Sequence, residues 1–126
     1  MATAKATREA VADAVREVVP EGWAVYAWPH VTQTLPCVVV EPRAPYQERG
    51  TFRGRGLNLR LTVLHQVAAG EHGGSVVDAL LDDLLPRLDG LSDIRWTQVA
   101  SVGDASDRAG VMAVGASIDL AAMNIT

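Results

Sequence analysis

Apolar and polar positions change period several times along the chain, and each change marks an element. Over residues 4–19, Ala10/Val11, Ala14/Val15 and Val18/Val19 recur at helical spacing, with Arg8, Glu9, Asp13, Arg16 and Glu17 on the other faces. One such stripe predicts an amphipathic helix, capped by Thr3 or Thr7 and stopped at Pro20. "WAVYAW", residues 23–28, is aromatic and β-branched and predicts a strand, and "PHVTQTLP" a loop. "CVVVE", residues 37–41, is a short unbroken apolar run between prolines, the pattern of a strand buried on both faces. A Gly- and Pro-punctuated segment follows. Then Leu57, Leu59, Leu61, Val63, His65 and Val67 alternate with Asn58, Arg60, Thr62, Leu64 and Gln66, which predicts a long strand.

"SVVDALLDDLLPRLD", residues 75–89, carries a broad stripe: Val76, Val77, Leu80, Leu81, Leu84, Leu85 and Leu88. The spacing predicts a helix over 75–88, with Ser75 as N-cap, Asp78 completing an acidic capping box, and Pro86 ending or kinking it. Strands are predicted over 94–101 and about 111–122, joined by the polar turn "GDASDRAG". The order α-β-β-β-α-β-β, with short turns, predicts an α+β fold: a mainly antiparallel sheet with two helices on one face. At 126 residues, without a linker or internal repeat, the chain reads as a single domain, 1–126.

Charge changes this picture at one point. The chain carries a net −4. Residues 43–60 hold Arg43, Arg49, Arg53, Arg55 and Arg60 against one acid, Glu48, a local +4 that leaves −8 for the rest. Overall acidity argues against a general nucleic-acid binder. The arginine segment has three readings: a solvated loop, a phosphate-binding loop, or an arm that meets acidic surface on a neighbouring copy, where the guanidinium fork pairs with carboxylates. Only Tyr46 and Phe52 supply aromatics for stacking, which weakens the nucleic-acid reading. The arm reading makes Arg43, Tyr46, Arg49, Phe52, Arg53 and Arg55 candidate protein–protein contacts. Head-to-tail contacts of this kind close into rings when the rotation permits.

Catalytic and metal chemistry find little support. His30, His65 and His72 have no ligand spacing, and "HGGS" lacks the G-x-S-x-G elbow an esterase needs. "GTFRGRG" lacks phosphate-loop spacing. Asp82 and Asp83 diverge on a helix and read as a solvated face. Cys37, the only cysteine, reads as inert core inside a valine-rich strand. No catalytic, cofactor-binding or metal residue is therefore assigned. No signal-peptide core and no run of about 18 apolar residues is visible, so no membrane span is expected. Trp23, Trp28 and Trp96 read equally as core or as interface residues.

Element order, length, the "PCVVVEP" strand, the arginine segment, the long alternating strand and "SVVDALLDDLLPRLDGL" together resemble the tail terminator proteins of long-tailed bacteriophages. The resemblance spans nearly the whole chain and rests on no catalytic motif. It implies a hexameric ring of identical subunits, without enzymatic activity or cofactor. Such a ring caps the finished tail tube, stops its polymerisation and forms the tail-side surface for head–tail joining. Implied partners are sister subunits, the major tail tube protein and a head–tail connector or neck protein. Contact with nucleic acid is limited to DNA passing through the lumen. The implied location is the virion tail or neck, assembled in the bacterial cytoplasm. By position, residues 43–56 correspond to the family's contact segment between the second and third strands. Other phage neck and tail-completion proteins share much of this outline. A small enzyme or ligand-binding domain built on Cys37 and a histidine is the alternative from another class.

Overall fold

The computed structural model describes residues 3–29, 34, 36–49, 54–65, 71–102 and 114–125, with backbone alone at 71–74, 101, 102, 114 and 124. Helix α1 spans Ala4–Arg16. Thr3 caps it: the Oγ1 accepts from the Ala6 N–H at 3.1 Å. The buried stripe is Thr7, Val11, Ala12, Ala14 and Val15. Ala10, expected within it, is exposed. The helix stops three residues before the expected end, and Val18 and Val19 both turn their N–H groups back to Val15 O.

Three strands follow: β1 (Ala24–Tyr26), β2 (Cys37–Arg49) and β3 (Arg55–His65). Helix α2 then spans Glu71–Asp89, before β4 (Ile94–Val102) and β5 (Val114–Ile125). The sheet order is β1-β2-β3-β5-β4. All neighbours are antiparallel except β1 and β2, which pair in parallel over Ala24–Tyr26 and Cys37–Val39. This parallel pair sits in a sheet that is otherwise antiparallel, as expected, and it joins strands linked by a loop rather than a short turn. The chain between Tyr26 and Cys37 is long enough to return to the starting end of the sheet.

α2 starts four residues before the expected cap, so Ser75 lies inside the helix, and the helix runs through Pro86. Leu84 and Leu88 flank the proline and are both fully buried, so packing on either side carries the helix past the missing hydrogen bond.

Both helices cover one face of the sheet. Val11, Val15, Val77, Leu80, Leu84 and Leu88 meet Val38, Val40, Leu57, Leu59, Leu61, Val63, Ile118 and Leu120 in one core. The fold is thus α+β, as the periodicity predicts. The "CVVV" run is buried on both faces: Cys37, Val39 and Leu64 form a second, smaller cluster on the side away from the helices. Gly115 lies opposite Leu64, and a Cβ there would run into the Val63 carbonyl oxygen. Close approach of β3 and β5 therefore requires glycine at this position.

Candidate protein interface on the arginine ribbon

Residues 43–49 and 55–57 are not a loop. β2 continues through the arginine segment and pairs with β3 as an antiparallel ribbon, with Gln47 opposite Leu57, Glu48 opposite Gly56 and Arg49 opposite Arg55. The ladder shifts register between Pro42 and Gln47, so residues 43–46 bulge against Asn58 alone. Two prolines in this stretch, Pro42 and Pro45, lack the N–H groups that regular pairing would use.

Side chains hold the bulge in place. Asn58 Nδ2 donates to Pro45 O at 2.7 Å and to Glu48 Oε2 at 3.2 Å. Arg43 Nη2 donates to Asn58 Oδ1 at 3.3 Å and to Leu120 O at 3.2 Å, and Arg43 Nε to Leu59 O at 3.5 Å. Beneath them lies Asp119, 6% exposed, on the sheet face away from the helices. It accepts from Arg60 Nε at 3.0 Å and from Gln98 Nε2 at 2.6 Å, and Arg43 Nε stands 3.7 Å away. Burial pushes the Asp119 carboxyl up. The hydrogen bonds from Gln98 and Arg60, with the charges of Arg60 and Arg43, outweigh burial and hold it below the usual carboxylate range. Further along the same face, Thr62 Oγ1 donates to Glu41 Oε2 at 2.7 Å.

On the helix side, Tyr46 reaches back to the body of the domain. Its hydroxyl accepts from Arg8 Nη1 at 3.1 Å. The Arg8 guanidinium lies 4.3 Å from the centre of the Trp28 ring. Trp28 meets Tyr46 edge-on with ring centres 5.9 Å apart. Trp28 is itself 42% exposed, whereas Trp23 and Trp96 pack against the core. Of the three tryptophans, only Trp28 presents the surface an interface needs.

The six candidate contacts therefore divide. Arg43 and Tyr46 are half-buried and engaged within the chain, where they anchor the ribbon. Arg55 is exposed and donates to Gln47 Oε1 at 2.6 Å across the ribbon. Arg49 is exposed at the last residue of β2, and no carboxylate among the described residues pairs with it. Phe52 and Arg53 lie outside the described residues. Two of the segment's five arginines, Arg43 and Arg60, thus stand against Asp119. Sequence reasoning missed Asp119, Asn58 and Gln98. The available signal was a lone acid between Ile118 and Leu120 in an otherwise uncharged strand.

The remaining chemistry is sparse. Cys37 is fully buried. His65 is half-buried and packs on Trp23, ring centres 5.3 Å apart. His30 lies outside the described residues, and His72 is described in backbone only, within α2. Among the described residues no group of three or more His, Cys, Asp or Glu side chains could hold a metal ion. No described helix is long and apolar enough to cross a membrane. No known protein family matches the chain, and no match is found among characterised proteins.

Proposed function

We propose that the protein is a structural component of a long-tailed bacteriophage: a tail terminator that assembles as a ring, caps the completed tail tube and offers the surface for head–tail joining. The observation that carries this reading is the arginine ribbon. A two-layer domain of ordinary size extends its second strand past the first and keeps an irregular, Pro-containing β-ribbon in register with internal bonds from Arg43 and Asn58. It leaves Arg49 and Arg55 exposed at the end. A braced ribbon with exposed cations suits contact between subunits, because less ordering entropy is lost on docking than with a free loop. The resemblance in element order and length to tail terminators supplies the biological setting. Another neck or tail-completion protein would use the same ribbon in the same manner.

The test is a tail-assembly reaction with the Arg49→Glu/Arg53→Glu/Arg55→Glu variant in place of the wild type. Failure to cap yields tails of abnormal length that do not join filled heads. Normal tails from a folded variant would remove the ribbon from the account.

A further inference from the structure

The ribbon needs an acidic counterpart, and the ion pairs within the chain narrow the choice. Most described acids already have a partner. Asp13 pairs with Arg16, Glu17 with Arg87 and Asp119 with Arg60, while Glu48 accepts from Asn58 and Asp89 from the Trp96 indole. Asp78, Asp82 and Asp83 have no hydrogen bond or ion pair among the described residues, and all three are exposed on the outer side of α2.

The helix does not neutralise them itself. Asp78 and Asp82 are four residues apart, the spacing at which like charges repel on a helix. Arg87 stands four residues after Asp83 and is the only Lys or Arg in α2. It turns away to the C-terminal end of α1, where its Nε donates to Oε2 of the capping Glu17 at 2.6 Å. The outer face of α2 is therefore left with negative charge that no described group of the same chain offsets. At the other end of the molecule's charge distribution, Arg49 is exposed without a carboxylate partner among the described residues.

We infer that the arginine ribbon of one subunit docks on the outer face of α2 of a second copy, with Arg49 and Arg55 facing Asp82 and Asp83. This rests on the assembly reading above and names the surface it uses. The two surfaces differ, so the contact is head-to-tail, the kind that closes a ring. Cations from the neighbour relieve the repulsion within the acidic face, which gives α2 a reason to keep three unneutralised aspartates.

Charge exchange on the full-length chain tests this, with self-association measured by sedimentation equilibrium. Arg49→Glu/Arg55→Glu and, separately, Asp82→Lys/Asp83→Lys each weaken association about tenfold or more, because several exposed pairs act together at each contact. Combining the four substitutions restores association to within about threefold of wild type. Glu21→Lys, at an exposed acid outside α2, leaves it unchanged. Raising salt weakens the wild type and the combined variant alike. Asp82→Asn/Asp83→Asn, which removes charge without reversing it, weakens association by a smaller factor; circular dichroism confirms that every variant is folded. If the wild type associates and the α2 variants associate equally well, the docking surface is overturned while the assembly reading stands. If each pair of substitutions weakens association and the combination does not restore it, the two surfaces do not face each other and the inference falls. A wild type that stays monomeric at every concentration overturns the assembly reading and this inference with it.

Discussion

Asp119 is the residue on which the ribbon's base rests. Its carboxylate gathers Arg60, Gln98 and Arg43 on the sheet face opposite α1 and α2. Replacing it with Asn keeps the shape and removes the charge, leaving two guanidinium groups without their counter-ion. Asp119→Asn is expected to destabilise the fold by roughly 1–3 kcal/mol, the range for losing a charge-assisted bond at a mostly buried site, measured by urea unfolding. Its folded-state pKa is depressed. The stability it contributes is therefore fully present above the ordinary carboxylate range and is lost as pH falls through the folded value. Wild-type stability should fall on acidification over that window, and the Asp119→Asn variant should show a shallower acid limb. Cys37 belongs to the same scale with the opposite expectation: Cys37→Ala should cost stability and leave assembly intact once the variant is folded. Fully buried, its thiol is closed off from solvent.

At the scale of elements, the leucine stripe of α2 divides by depth. Leu84 and Leu88 are fully buried and Leu81 only partly. Leu84→Ala should lose about 2–5 kcal/mol on thermal or denaturant unfolding and Leu81→Ala clearly less. Equal and negligible losses would show that the stripe is not a core. Gly115→Ala should disrupt β3–β5 pairing more than an exposed Gly→Ala change, because Val63 backbone must move. Much of this level was legible in the sequence. The 3.6-residue stripes gave both helices, and strict alternation over 57–65 gave β3 and the face it buries. What was not legible depended on groups distant in the chain. The ribbon was hidden because Pro42, Pro45 and Gly50 signal a loop. Its ladder resumes beyond the bulge, where Asn58 and Arg43 bond across the gap in the ladder. The parallel β1–β2 pairing was hidden because direction is set by the connection and not by the strands' own residues. Pro86 was read as a stop because its local cost is visible, whereas the burial of Leu84 and Leu88 that overrides it is tertiary.

For the whole molecule, the arginine segment was legible as a charge anomaly, and its division of labour was not. Arg43 and Tyr46 brace the ribbon from its two sides, and Arg49 and Arg55 are left exposed at its end. Sequence gives the +4 of residues 43–60 but cannot say which charges are answered inside the chain, since Asp119 lies 59 residues from Arg60. On the proposed function, identical subunits associate through this ribbon into a closed ring. The most direct measurement is native mass as a function of concentration for the wild type and for Arg49→Glu/Arg53→Glu/Arg55→Glu. The expected result is a discrete ring of identical subunits for the wild type, six by the resemblance to tail terminators, and a folded monomer for the variant. A wild type that remains monomeric throughout, or a triple variant that forms the same ring, would contradict it.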